Sequence, residues 1–294
     1  MREERVMRKA VIGSLVGSLL MMSGLASGHE VQVVKGFKNP ESVVADKAGN
    51  IYVSEIGEFG KDGDGQVSVI GPDGKRKLFA QGMDDPKGLA LVGDDLYVAD
   101  KDRILRVGKD GKWTVLADKT AFPAVPQFLN DLEPDFAGKY LYVSDSGDIF
   151  NQGGTTGAIY RVILETGKVD TVINHQQDAR IKAPNGLWMD DTGETLIYVD
   201  YASGLLYKLD LLNRHLIELA SGFGGGDGIA LGANKKLYIS DYNSGKVFSL
   251  SIEDEVKLEM EGFQSAADIG VTRDGKILLI PDMKAGTVTW RHLH

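Results

Sequence analysis

Leu96-Tyr97-Val98-Ala99-Asp100 returns as Leu141-Tyr142-Val143-Ser144-Asp145 and again as Leu237-Tyr238-Ile239-Ser240-Asp241. Three looser copies, Ile51-Tyr52-Val53-Ser54-Glu55, Ile197-Tyr198-Val199-Asp200 and Leu279-Ile280-Pro281-Asp282, complete a set of six. Each is a short run of β-branched and aromatic residues that ends on an acid before a turn, which reads as a strand. A loop-to-strand approach precedes each copy: Pro40-Glu41-Ser42-Val43, Pro86-Lys87-Gly88-Leu89, Leu129-Asn130-Asp131-Leu132, Pro184-Asn185-Gly186-Leu187, Gly226-Asp227-Gly228-Ile229 and Ala267-Asp268-Ile269. Their second residues fall at 41, 87, 130, 185, 227 and 268, spaced by 46, 43, 55, 42 and 41 residues, a period that marks a repeat architecture.

Working outward, further alternating segments follow each copy, as in Gly157 to Val162 and then Lys168 to Ile173. Asp-Gly turns at Asp73-Gly74, Asp110-Gly111 and Asp274-Gly275 separate strands, and after residue 28 no helical period is sustained. Each repeat is therefore a four-stranded antiparallel meander, and the predicted fold is all-β, a six-bladed β-propeller over residues 29–294. The last repeat runs out after three strands, whereas the chain opens with an orphan strand, Glu30-Val31-Gln32-Val33-Val34. Pairing that strand with the last blade closes the ring and satisfies backbone groups that would otherwise stay unpaired.

Composition agrees. The 294 residues are 43% hydrophobic and 26% charged, with no Cys, which excludes disulfide scaffolds, thiolate metal sites and Cys nucleophiles. Residues 1–28 carry Arg2, Arg5, Arg8 and Lys9, an uncharged apolar run from Ala10 to Leu25, and the small residues Ala26-Ser27-Gly28. That pattern reads as a signal peptide, an uncleaved anchor being the weaker alternative because sixteen apolar residues are short for a span of about 20, and a periplasmic or secreted protein with no stable membrane insertion after cleavage is expected. Removing the leader takes the net charge from −9 to about −11, which disfavours nucleic acid and anionic membranes as partners. The expected partner is a small molecule, and the expected state a monomer.

The first strand of each propeller blade lines the central channel, so the second residues of the six approaches are expected to converge at one mouth. These are Glu41, Lys87, Asn130, Asn185, Asp227 and Asp268. Two anions about 4 Å apart at an effective dielectric near 20 repel by about 4 kcal/mol, which calls for a cation or raised carboxyl pKa values. A divalent ion on Glu41, Asn130, Asn185 and Asp227 balances two ligand charges, with Lys87 and Asp268 expected to neutralise one another. Oxygen-only ligands with no Cys or nearby His favour Ca²⁺, with Mg²⁺ or Mn²⁺ as substitutes.

On Pro40-Glu41, Leu129-Asn130-Asp131, Pro184-Asn185-Gly186, Gly226-Asp227-Gly228 and Leu141 to Gly147, the sequence resembles the senescence marker protein/gluconolactonase/luciferin-regenerating enzyme family. These six-bladed propellers are relatives of diisopropyl fluorophosphatase and the paraoxonases. The resemblance covers nearly all of residues 29–294. It implies a calcium-dependent hydrolase of lactones or related esters, gluconolactonase-like, with a catalytic Ca²⁺ on Glu41, Asn130, Asn185 and Asp227. By the same resemblance Asp227 is the base that activates water, with Asp131 and Asp268 in reserve. Two departures stand out. Lys87 occupies a position where many relatives carry Asn, and it either orients a substrate anion or pairs with Asp268. No His occupies the approaches, so the paraoxonase histidine pair is absent.

Other motifs carry less. Lys61-Asp62-Gly63-Asp64-Gly65 lacks the remaining ligands of an EF-hand, and Gly222 to Gly226 leads into a strand rather than a helix. No Ser-His-Asp arrangement or nucleophile elbow is present. The loops Glu55 to Gln66 and Thr120 to Phe128 are expected to cap the pocket. The alternative function is a non-catalytic propeller similar to NHL-repeat proteins, binding a peptide or sugar around a structural ion.

Overall fold

Frequent turns and short β-branched runs place no described residue in a helix. The computed structural model describes residues 31–150 and 153–294, so the expected leader, residues 1–28, lies outside them. Strand β1 spans Gln32–Lys35. Blade 1 is β2 (Pro40–Ala45), β3 (Ile51–Glu55), β4 (Gly65–Ile70) and β5 (Arg76–Met83). Blade 2 is β6 (Pro86–Val92), β7 (Asp95–Asp100), β8 (Arg103–Val107) and β9 (Trp113–Ala117). Blade 3 is β10 (Leu129–Pro134), β11 (Tyr140–Asp145), β12 (Ala158–Ile163) and β13 (Val169–Asn174). Blade 4 is β14 (Pro184–Met189), β15 (Thr195–Asp200), β16 (Leu205–Asp210) and β17 (Leu216–Ser221). Blade 5 is β18 (Gly226–Leu231), β19 (Leu237–Asp241), β20 (Lys246–Leu250) and β21 (Val256–Glu261). Blade 6 takes β22 (Gly270–Val271), β23 (Ile277–Asp282) and β24 (Thr287–His292) from the C-terminus, and β1 is its outer strand. All six sheets are antiparallel, and together they form the six-bladed propeller expected from the repeats.

The ring is closed by the register Gln32↔Trp290, Val33↔Thr289, Val34↔Val288 and Lys35↔Thr287. Cutting the chain back to residue 36 would strip these partners from β24, a loss on the order of 3 kcal/mol at about 1 kcal/mol per hydrogen bond. The expected result is faster hydrogen exchange at the amides from Val288 to Trp290 and a lower melting temperature. Unchanged exchange there would show that closure does not depend on β1.

Every blade is buried on both faces, which is why its second strand reads as an unbroken apolar run. Successive side chains point to opposite faces. Leu96 and Val98 of β7 pack with Val67 and Met83 of blade 1, whereas Tyr97 and Ala99 pack with Leu132 and Val143 of blade 3. The core is thus a set of apolar clusters between neighbouring blades. Trp113 and Trp188 pack against such clusters at their margins, and Trp290 lies within the one that joins blades 1 and 6.

Candidate functional site

Each inner strand carries the same irregularity. In blades 1 to 5 its first residue pairs normally (Pro40↔Glu55, Pro86↔Asp100, Leu129↔Asp145, Pro184↔Asp200, Gly226↔Asp241). The ladder resumes at the fourth residue with the register shifted, as at Val43↔Val53 and Leu89↔Val98. One extra residue on the inner strand is a β-bulge, a device that re-aims side chains. Here, repeated around the ring, it frees two residues per blade from the ladder at the start of the channel.

The sixth blade corrects the expected ring. Its isolated bridge Ala266↔Asp282 corresponds to Pro40↔Glu55, so the residue that matches Glu41 is Ala267. Asp268 stands one position deeper, in line with Ser42, Gly88, Asp131, Gly186 and Gly228. Without Pro or Gly before the strand, nothing in the local sequence fixed the frame, and only the pairing with β23 does.

The upper ring therefore holds Glu41, Lys87, Asn130, Asn185 and Asp227, all buried. Asn185 Nδ2 donates to Asp227 Oδ1 at 2.9 Å, which leaves Asn185 Oδ1 buried with no hydrogen-bond partner. Glu41 Oε2 is buried and unpartnered as well. Asn130 Nδ2 donates to Ser146 Oγ at 3.1 Å, and that hydroxyl donates to Pro184 O at 2.9 Å, next to Asn185. Burial raises the Glu41 carboxyl well above the usual range, the Asp227 charge adds to the rise, and Lys87 opposes it. Burial, then Asp131, pushes Asp227 up to about 8, against the hydrogen bond from Asn185.

Lys87 does not pair with Asp268. Its Nζ donates to Asp85 O at 3.1 Å and lies 4.6 Å from the centroid of the Phe128 ring. Burial lowers its pKa, and Glu41, Asp85, Asp100 and Asp145 act in the other direction. Asp268 instead accepts from Ser42 Oγ at 2.5 Å, a contact between blades 6 and 1.

The deeper ring is built for packing. Asp131 Oδ1 accepts from Leu132 N and Oδ2 from Leu187 N, each at 2.6 Å, so its carboxyl ties blade 3 to blade 4. Burial raises Asp131 to about 7 despite these two donors. Asp131 and Asp268 line a cavity of about 790 Å³ at the far ends of the inner strands, among Val44, Leu91 and Leu187, and the upper-ring residues do not line it. Glycine is required between them: a Cβ on Gly186 would sit 2.2 Å from Asp227 O.

Two features escaped the sequence reading. The acid that ends each repeat is a clamp for the loop before its inner strand. Asp100 accepts from Asp84 N and Asp85 N, Asp145 from Gln127 N and Phe128 N, and Asp200 from Lys182 N and Ala183 N. Glu55, Asp241 and Asp282 do the same for Lys38, Gly224 and Gln264. The hydroxyl just before the acid in three blades, Ser54, Ser144 and Ser240, accepts the N–H of Ser42, Asp131 and Gly228 that each bulge releases. Both were visible as the repeated Ser-acid pair, whose purpose depends on a bulge that periodicity does not reveal.

Among the described residues no three His, Cys, Asp or Glu side chains form a metal cluster. The upper ring offers a different donor set, two carboxylates and two amides, with two buried oxygens left unpartnered and both carboxyls raised, chiefly by burial, with Asp227 adding to the rise of Glu41 and Asp131 to that of Asp227. Such a set fits a hard cation.

The model of the SMP-30/gluconolactonase/LRE-like region matches residues 90–262. This chain belongs to that family. Solved structures agree in fold. A candidate gluconolactonase superposes with a TM-score of 0.70 at 17% identity, covering 90% of this chain and 93% of that one. The nidogen/laminin complex gives 0.65 at 19% identity, with 80% and 84% covered. A catalytically inactive virginiamycin B lyase from Staphylococcus aureus, bound to quinupristin, gives 0.60 at 16% identity, with 90% and 99% covered. No curated protein matches this member of the gluconolactonase-like family in sequence.

Proposed function

We propose that this gluconolactonase-like propeller is a metal-dependent hydrolase of lactones or related esters, acting on a small molecule as a monomer in the periplasm or outside the cell. The observation that carries the reading is the pair of unpartnered buried oxygens, Glu41 Oε2 and Asn185 Oδ1, beside the Asp227 carboxyl. Buried polar atoms without partners are rare and call for an explanation such as an ion. Glu41, Asn130, Asn185 and Asp227 would hold Ca²⁺, which when bound polarises the substrate carbonyl and stabilises the oxyanion. The leader pattern in residues 1–28 supports the location.

The residues of this chain supply the rest. Asp227, oriented by Asn185, takes the proton of the attacking water, a contribution of about 10² to 10⁴ in rate. Asn130, fixed by Ser146, holds its side of the mouth. Lys87, at the edge of the mouth under Phe128, binds a substrate oxygen. Asp131, with both oxygens taken by backbone donors, positions blade 4 and is a poorer base than Asp227, and Asp268 is held by Ser42.

A panel of lactones, aryl esters and phosphotriesters, run after chelation and again after calcium or manganese is restored, tests the reading. The expected outcome is metal-restored turnover of lactones that drops at least about a hundredfold in Asp227→Asn. Lys87→Ala is expected to change substrate preference more than calcium affinity. Silence across the panel under every metal condition would point to a binding propeller instead.

A further inference from the structure

We propose that Phe59, Phe128 and Phe150 form an apolar wall of the substrate site, so that the enzyme selects lactones or esters bearing an alkyl or aryl group over polyhydroxylated sugar lactones. This deepens the hydrolase reading above and rests on it.

The three rings come from three separate segments. Phe59 lies between β3 and β4, Phe128 just before β10, and Phe150 in the segment that follows β11. Phe59 and Phe128 are stacked with centroids 6.1 Å apart and planes inclined by 11°. Phe150 meets both edge-on, at 5.7 Å and 5.1 Å. Yet Phe59 is 48% exposed and Phe150 72% exposed. Packing within a blade does not account for large apolar side chains that gather in solvent, and such clusters mark binding surfaces.

The wall adjoins the upper ring. One face of Phe128 carries the Lys87 ammonium at 4.6 Å. Phe128 O accepts from Ser146 N at 2.9 Å, and Ser146 Oγ accepts from Asn130. Beside Phe59, Gly60 N donates to Asp85 Oδ1 at 2.8 Å, and the carbonyl of Asp85 accepts from Lys87. Contacts from the upper ring thus lead through Lys87 and Ser146 to Phe128 and so to three phenyl groups.

That gradient selects by chemistry. A sugar lactone brings several hydroxyls, each of which loses water against a phenyl face that offers no hydrogen bond. An alkyl or aryl substituent loses nothing there and gains buried apolar contact. The occupant is therefore the apolar substituent of the substrate whose carbonyl oxygen lies over the mouth.

The test compares kcat/KM for three six-membered lactones, δ-decalactone, δ-valerolactone and D-glucono-δ-lactone, with calcium present. The expected result is δ-decalactone ahead of D-glucono-δ-lactone, and ahead of δ-valerolactone by about tenfold or more. In Phe59→Ser/Phe150→Ser the decalactone-to-valerolactone ratio should fall toward one, while Leu212→Ser, at a remote exposed turn, leaves it in place. A preference for the sugar lactone, or a ratio unmoved by the double variant, overturns the wall. If no lactone turns over, the lactonase part of the reading fails, and the wall is judged by saturation-transfer NMR with 5-hydroxydecanoate and gluconate. Contact from 5-hydroxydecanoate that is lost in the double variant sustains it, and equal or absent contact refutes it.

Discussion

In chelator, Glu41→Gln should melt at a higher temperature than the unaltered protein, and calcium should no longer raise its melting point. Glu41 is buried, one of its oxygens has no partner, and both burial and the Asp227 charge disfavour its ionised form. Replacing that carboxyl by a neutral amide of the same shape removes a repulsion from the ion-free fold. The same change takes a charged oxygen from the proposed cation site. For the unaltered protein, calcium at a hundred times its Kd adds about 2.7 kcal/mol, or about 5 °C for a domain of this size.

The pH dependence has a defined sign. Asp227, near 8, and Asp131, near 7, remain protonated in the ion-free fold at pH values where an unfolded carboxyl has ionised. The folded state then binds more protons than the unfolded one, so stability falls as pH rises from about 4 to about 8. Melting curves across that range, with chelator and with calcium, check both statements. A Glu41→Gln protein that melts lower in chelator and keeps its calcium response would remove the metal reading.

Asp200→Ala should lower the melting temperature by about 6 to 10 °C, corresponding to about 3 to 5 kcal/mol. Asp200 is fully buried and its two oxygens take four donors, from Lys182 N, Ala183 N, Ser203 N and Ser203 Oγ. Truncation leaves those donors without partners, and the loop it releases leads directly into Pro184 and Asn185. Calcium response should therefore weaken too, although Asp200 is no ligand. Asp200→Asn, which keeps one acceptor, should fall between the two, and Asp191→Ala, on an exposed turn, should stay within about 0.5 kcal/mol. Thermal melts with and without calcium give both readouts. An Asp200→Ala protein as stable as the parent would mean that the repeated acids do not hold the loops.

The same acids show what sequence could and could not convey. Their spacing announced six equivalent strands, because a blade buried on both faces needs a continuous apolar run with a polar stop. Glu41, Asn130, Asn185 and Asp227 could be singled out because Pro or Gly marks the strand starts beside three of them and Asn130 matches them in spacing. Asp268 lies one residue out of the frame that the repeats suggest, since Ala266-Ala267 offers no such marker and its register comes from β23. The pairing expected between Lys87 and Asp268 failed for the same reason, because the two residues occupy different layers of the channel.

What the sequence determined by itself was the number of blades, their strand content, the closing strand and the oxygen-rich composition of the mouth. All of these follow from local periodicity and turn chemistry. Only the tertiary structure decided which carboxyls share a layer, which oxygens are left without partners, and that three phenylalanines from distant segments meet beside Lys87. Those depend on the bulge in each inner strand and on the meeting of blades around the axis, where contacts join residues far apart in the chain and carry no local signal.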